Sequence, residues 1–318
     1  MTISKFDPQN PFECFIVQSE AMKSAVENAK RFAMFDAPLL IQGETGSGKD
    51  LLAKACHYQS LRRDKKFIAV NCAGLPDEDA ESEMFGRKVG DSETTGFFEY
   101  ANKGTVLLDG IAELSLSLQA KLLRFLTDGS FRRVGEEKEH YANVRVICTS
   151  QVPLHLLVEQ GKVRADLFHR LNVLTINVPA LRDRMADIEP LAQGFLQEIS
   201  EELKISKPTF DKDFLLYLQK YDWKGNVREL YNTLYRACSL VQDNHLTIES
   251  LNLALPQSAV ISLDEFENKT LDEIIGFYEA QVLKLFYAEY PSTRKLAQRL
   301  GVSHTAIANK LKQYGIGK

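Results

Sequence analysis

No stretch of this sequence is apolar for long enough to span a bilayer, and no basic segment leads into an apolar run near its N-terminus. A membrane anchor and a secretory leader are therefore not expected, and the chain reads as a soluble cytoplasmic protein. Cysteine is sparse and unpatterned. Cys14, Cys56, Cys72, Cys148 and Cys238 are odd in number and never spaced as C-x-x-C, so neither a disulfide framework nor a zinc ribbon is indicated. Six histidines (His57, His140, His155, His169, His245, His304) lie far apart without ligand spacing, which argues against a metalloenzyme. A G-x-S-x-G turn is missing, as are internal repeats and low-complexity tracts. With 39 basic and 43 acidic side chains the formal charge is -4, so the whole molecule is neither a polycation nor an acidic tail protein.

What is present is unevenly distributed. From Pro291 to Lys318 there are six basic side chains and no acid, which leaves -10 for the preceding residues. Only the tail suits a polyanion. The chain has 318 residues and 44% apolar content, enough for one large domain and a small one. Over residues 1–185, short apolar runs (Leu39 to Ile41, Phe67 to Val70, Thr105 to Leu108, Val144 to Cys148, Val173 to Val178) alternate with helix-period segments. That pattern predicts an α/β fold with a parallel sheet covered on both faces. Over 186–255 helical spacing takes over, and Trp223 with Tyr221 reads as core of that helical subdomain. A linker is expected at 256–270, and a last unit at 271–318.

The strand Leu39-Leu40-Ile41 runs directly into Gly43-Glu44-Thr45-Gly46-Ser47-Gly48-Lys49, and a helical pattern follows. Strand, loop, helix is the context of a phosphate-binding loop. Its glycines let backbone N–H groups converge on phosphates, the helix N-terminus adds partial positive charge, and Lys49 can reach the outer phosphates of ATP. Asp50 stands where most such loops place the Ser or Thr that ligates Mg2+, so a metal here would use a carboxylate, Thr45 or water. A second apolar strand, Gly104 to Leu108, ends in Asp109, a candidate for holding that Mg2+. The residue after it is Gly110, whereas hydrolysing ATPases usually place a Glu there to polarise the attacking water. Weak or absent hydrolysis is expected unless Glu113 or another group substitutes.

Several longer runs carry a family likeness. Gly43 to Asp50, Gln119 to Leu126 with Phe131 to Gly135, Arg164 to Val173, and Trp223-Lys224-Gly225-Asn226-Val227-Arg228-Glu229-Leu230 resemble the AAA+ domain of bacterial enhancer-binding transcription activators. The C-terminal run Tyr290 to Ala297, with Leu300 to Leu311, resembles regulators of the TyrR type. The resemblance implies an AAA+ P-loop domain with a helical lid and a small all-α, Fis-like helix-turn-helix domain. It also implies that Gln151 holds the first sensor position and Arg228 the second, and that Arg164 and Arg170 are arginine fingers reaching a neighbouring protomer's nucleotide. The implied function is a regulator, chiefly a repressor, of aromatic amino acid genes that responds to ATP and L-tyrosine by forming higher oligomers. Activators of the alternative sigma factor carry a G-A-F-T-G-A loop; the corresponding stretch here, Arg87 to Gly96, is short and lacks it. The chain also starts almost directly at the AAA+ unit, which puts activation through an N-terminal sensing region in question.

The tail itself reads as a helix-turn-helix: Ser292 as N-cap, a helix from about Thr293 to Leu300, a Gly301-Val302 turn, Ser303 as second N-cap, and a helix to Tyr314 closed by Gly315. Ile307, Leu311 and Tyr314 share one face and are expected inside. Ser303, His304, Thr305, Ala306, Asn309 and Lys312 then reach a double-stranded DNA operator, with Thr305 and Ala306 against a thymine methyl, Asn309 on an adenine edge, and Arg294, Lys310 and Lys312 on phosphates. One such unit covers few bases, so a dimer is expected. The amphipathic segment Leu271 to Tyr290 is either the dimer element or packs within the tail. The competing readings are an active AAA+ ATPase that remodels a protein partner, and an activator of the alternative sigma factor; RNA polymerase is a further candidate contact.

Overall fold

The computed structural model describes residues 6–75, 79–241, 243–251 and 270–316. They form two compact units, divided between Leu255 and Pro256. The linker expected at 256–270 lies, but for Thr270, outside the described residues. The first unit begins with α1 (Glu20–Ala33), β1 (Leu39–Gln42), α2 (Lys49–Gln59), β2 (Phe67–Asn71), α3 (Ala80–Phe85), β3 (Arg87–Val89), β4 (Ser92–Thr94) and α4 (Phe97–Tyr100). It continues with β5 (Thr105–Asp109), α5 (Leu116–Asp128), β6 (Ser130–Arg132), β7 (Glu139–Tyr141), β8 (Arg145–Ser150), α6 (Leu154–Glu159), α7 (Ala165–Leu171) and β9 (Leu174–Asn177).

Five strands pair in parallel in the order β2-β5-β8-β1-β9. Because successive side chains of a strand point to opposite faces, each apolar run supplies both sides at once. Leu40, Val106, Val146 and Cys148 enter the core under α3 to α7, while Leu39, Ile41, Leu107 and Ile147 enter the one under α1 and α2. All five strands end on one edge, and Gly43, Gly110 and Gln151 leave the sheet there. A crevice beyond the carboxyl ends of parallel strands is where such sheets place ligands.

Three two-stranded ribbons, β3 with β4, β6 with β7, and a parallel pair further on, escape sequence reading, since two or three residues carry no periodicity. The stretch Arg87 to Gly96, expected as a short loop, is one of them. Arg133, only 7% exposed, clamps it from below, donating from Nη2 and Nε to Glu99 at 2.9 and 3.2 Å and pairing with Glu93 on β4.

The lid of this unit comprises α8 (Ile188–Leu203), β10 (Thr209–Phe210), α9 (Lys212–Lys220), α10 (Asn226–Leu240), β11 (His245–Leu246) and α11 (Ile248–Leu251). Its core gathers Phe195, Phe214, Leu218, Leu230 and Leu234 around Trp223, whose indole N–H donates to the Leu218 carbonyl at 2.6 Å. Asp187, fully buried at the start of α8, accepts from the Gln18 and Ser19 N–H groups at 2.7 Å and from Ser19 Oγ at 2.8 Å. It thereby anchors the segment entering α1 to the base of the lid.

The second unit holds α12 (Leu271–Glu289), α13 (Thr293–Leu300) and α14 (His304–Gln313). Thr270 and Glu273 form a reciprocal capping box that starts α12, which stops just ahead of Pro291. Leu283, Leu296, Ala297, Ile307 and Leu311 make its core. Ser303 caps α14 by accepting from the Ala306 N–H at 3.1 Å; Ser292 occupies the cap position of α13 without making that bond. On α12, Leu283 packs inward, while Leu271, Ile275 and Val282 stay exposed.

Truncating Asp187 would remove the charged partner of two part-buried N–H donors and leave them to solvent. Asp187→Ala is expected to lower unfolding stability by about 3 kcal/mol in urea titrations; an unchanged midpoint would show that water replaces the carboxylate at no cost.

Candidate functional site: a nucleotide cleft and a basic helix-turn-helix face

Between the carboxyl edge of the sheet and the lid lies a cleft of about 500 Å³. Phe15, Ile16, Leu191, Phe195 and Val227 line it at the lid side, and the loop Thr45 to Asp50 with Asn71, Asp109, Gln151 and Arg228 supplies polar groups. One apolar and one polar region in a single cleft suit a flat base attached to phosphates. Gly43 and Glu44 belong to the same loop; Gly43 takes its N–H to the Ser150 carbonyl at 3.0 Å.

Lys49 is nearly buried and donates from Nζ to the Glu44 carbonyl at 3.0 Å; burial pushes its pKa below the usual lysine value. Desolvation raises the Asp50 carboxyl, and the nearby Asp109 carboxylate raises it further. Ser47 Oγ is buried in the loop with no hydrogen-bond partner among the described residues, a group ready for an incoming oxygen.

The lid lies directly on this loop. Gly46 has φ +75°, and a Cβ there would sit 2.2 Å from the Gly225 carbonyl oxygen and 3.0 Å from Arg228 Cβ, so no side chain fits. Asn226, fully buried at the start of α10, donates from its amide to Glu44 Oε2 at 3.1 Å and to the Thr45 carbonyl at 3.0 Å, and accepts from the Leu181 N–H at 2.7 Å. Glu44 also pairs with Arg182, whose hydrogen bonds hold its carboxyl down at about 2. Arg184 donates to the Ser47 carbonyl at 2.8 Å.

At the end of β5, Thr149 Oγ1 donates to Asp109 and accepts from the Gly110 N–H at 3.0 Å. Gly110 sits at φ +79°, in the left-handed region. A glutamate in its place would carry backbone strain of about 1–3 kcal/mol.

Of the residues singled out from sequence, the cleft gathers Thr45 to Asp50, Asp109, Gln151 and Arg228. Arg164 and Arg170 stand apart from it at the two ends of α7, Arg164 paired with Asp166 and Arg170 donating to the Leu126 carbonyl at 2.7 Å. On the other unit, Arg294, Ser303, His304, Thr305, Asn309 and Lys312 are exposed and Ala306 half-buried, while Ile307 and Leu311 are buried. Lys310 differs from expectation: it pairs with Glu279 on α12, whose carboxylate also accepts from Tyr314 Oη at 2.7 Å. Asn226, Arg182, Arg184 and Thr149 were missed, because their roles depend on contacts far along the chain.

The sequence matches the family described as Sigma-54 interaction domain over residues 15–177, an AAA+ ATPase lid domain over 182–265, and a helix-turn-helix domain over 268–317. It is 99% identical over 318 residues to the HTH-type transcriptional regulatory protein TyrR of Haemophilus influenzae, covering the whole of both chains. The chain belongs to the TyrR family of transcriptional regulators. A second TyrR, from Enterobacter agglomerans, is 50% identical over 317 residues, and the chain spans 60% of its length. Among solved structures, NtrX from Brucella abortus, determined in complex with ATP and with ADP, superposes with a TM-score of 0.71 at 31% identity, covering 95% of this chain and 69% of that one. This TyrR-family chain therefore combines an AAA+ nucleotide fold with a helix-turn-helix, and none of its described helices is long and apolar enough to cross a membrane.

A carboxylate with a depressed pKa stabilises above its ordinary value and loses that contribution as pH falls through the depressed one. Glu44, lowered from 4.5 to about 2, follows this sign. The pair is partly exposed, so Glu44→Gln is expected to cost no more than about 1 kcal/mol at pH 6, with the gap to wild type closing as pH drops below 4.5 toward about 2. Urea midpoints across that range check it; a gap that is constant with pH would assign the stabilisation to hydrogen bonding alone.

Proposed function

We propose that this chain is a cytoplasmic repressor of aromatic amino acid genes whose AAA+ unit keeps ATP as an effector and whose tail grips the operator. The nucleotide-binding part ends near residue 185, the lid near 255, and the DNA-binding unit follows from 271. The observation that carries the reading is the locked end of β5: Thr149 holds Asp109 and Gly110 together, and the left-handed backbone at 110 offers no carboxylate to polarise water. A triphosphate seated there is retained. Ser47 Oγ, Lys49 and the loop amides fit phosphate oxygens, and the two carboxylates of Asp50 and Asp109 are the hard oxygen donors that Mg2+ takes. When bound, Mg2+ would neutralise charge on the outer phosphates.

Oligomerisation connects the two units' tasks. Arg164 at the N-cap of α7 and Arg170 near its end, both away from their own cleft, would reach a neighbour's nucleotide, and ATP with L-tyrosine would favour that ring, a hexamer in the limit. The exposed residues Leu271, Ile275 and Val282 on α12 supply a dimer contact. Paired tails then read two half-sites, and an oligomer spans several weak operators by effective concentration, excluding RNA polymerase. The hairpin β3–β4 offers only Gly90-Asp91 at its tip, which disfavours action on the alternative sigma factor. Brisk Mg2+-dependent turnover would favour the remodelling motor instead.

In sedimentation velocity, ATP and L-tyrosine together are expected to raise the mass of the wild type and leave Lys49→Ala unchanged; a wild type that stays at its resting mass overturns the coupling. In duplex binding, Asn309→Ala is expected to lose about tenfold affinity, and Lys312→Ala to flatten the slope of log K against log salt by about one. Equal binding by both variants would move the DNA contact elsewhere.

A further inference from the structure

We propose that Glu279 on α12 is a specificity-determining residue for DNA binding: its carboxylate takes Lys310 out of the set of cations that α14 can offer to phosphates, and with Tyr314 it holds that helix at a fixed orientation. This rests on the reading above that α14 is laid against the duplex, and adds what keeps its grip selective. The residues from Pro291 to Lys318 contain no acid, so a cation of α13 or α14 that is neutralised within this unit needs a partner on α12. Glu279 is such a partner. One of its carboxylate oxygens meets the Lys310 ammonium, and the other accepts from Tyr314 Oη at 2.7 Å.

Both helices are shaped for this contact. Lys310 and Tyr314, the latter the C-cap of α14, are four residues apart and so lie on one side of it. Across from them, Gly276 precedes Glu279 by three residues on α12. A Cβ at Gly276 would lie 3.5 Å from Tyr314 Oη and 3.9 Å from its ring, so the phenol passes over α12 where that helix has no side chain. The hydrogen bonds from Lys310 and from Tyr314 hold the Glu279 carboxyl below the usual carboxylate range, and the carboxylate in turn raises the Tyr314 hydroxyl. With Ile307 and Leu311 buried in the core of the unit, α14 is tied down along its length.

Charge decides the consequence. Attraction to phosphates is the same for every sequence, and each phosphate neutralised adds about 0.9 to the slope of log K against log salt, whereas contacts to base edges carry the sequence information. A free lysine on the flank of α14 would therefore strengthen binding to all duplexes alike. Lys310 keeps 41% of its side chain exposed, yet it cannot move onto a phosphate without leaving the Glu279 carboxylate uncompensated beside a polyanion. Arg294 and Lys312, both exposed, remain for the backbone. Asn309, the residue before Lys310, is presented to the bases at an angle that the tie to Glu279 sets.

Binding of the full chain across a salt series, to poly(dI-dC) and to a duplex that wild type has selected from a random-sequence pool, tests this. Glu279→Gln is expected to bind poly(dI-dC) severalfold more tightly at low salt, with a slope steeper by about one. Its ratio of selected-duplex to poly(dI-dC) affinity is expected to fall about tenfold, the worth of one misplaced base contact. Tyr314→Phe, which loosens α14 without changing its charge, is expected to lower the ratio and keep the slope. Lys310→Ala is expected to flatten the slope by about one in the Glu279→Gln background and by a small fraction of that in the wild-type chain. A slope or a ratio in Glu279→Gln equal to the wild type's overturns the proposal. So does a full loss of about one from Lys310→Ala alone, a partly exposed side chain whose removal keeps the fold. If Lys312→Ala also leaves the slope untouched, the reading of α14 as the DNA face fails, and the proposal falls with it.

Discussion

The contact on which the rest of this structure depends is the seating of the lid's α10 on the phosphate loop. Two glycines, Gly46 and Gly225, approach too closely for a Cβ between them, and the Asn226 amide spans the gap to Glu44 and Thr45. Buried amide hydrogen bonds are individually modest but costly to leave unmade. Their effect here is geometric: they fix Arg228 and Val227 against the cleft, so that the nucleotide pocket exists only while sheet and lid remain docked. Arg182 and Arg184 reinforce the same junction from the segment that leads into the lid. A ligand held by residues of both parts is necessarily a ligand that reports on their docking.

Charge is partitioned along the chain in a way that matches two different tasks. The acidic majority precedes Pro291, and much of it is spent in internal pairs such as Glu99 and Glu93 on Arg133. The last stretch, free of acids, spends one lysine internally, Lys310 on Glu279, and keeps Arg294, Arg299 and Lys312 in solvent. The pairing of Lys310 across to α12 fixes the outward angle of α14, so one cation serves orientation and the others remain for phosphates.

Legibility in the sequence followed the distance over which an interaction acts. The phosphate loop is a local signal, since Gly43 to Lys49 must be contiguous for their amides to converge, and it was readable with its strand and helix. The five sheet strands were readable because burial on both faces demands unbroken apolar runs. The helix-turn-helix was readable from its caps and turn, though Ser292 shows that a cap residue in the right place need not make the bond. What was not readable joins residues far apart: Asn226 meets Glu44 across 182 positions, and Asp187 meets Ser19 across 168. Nor were the ribbons, whose two or three residues carry no period.

The single tryptophan of the chain lies at the heart of the lid, fully enclosed and tied through its indole N–H to Leu218, with Tyr221 edge-on at 4.8 Å. Three residues later the chain reaches Asn226 and the docking junction. Tryptophan fluorescence, excited at wavelengths beyond tyrosine absorption, is therefore an unlabelled, site-specific optical signal for the lid alone, and its emission offers a direct view of lid docking in solution.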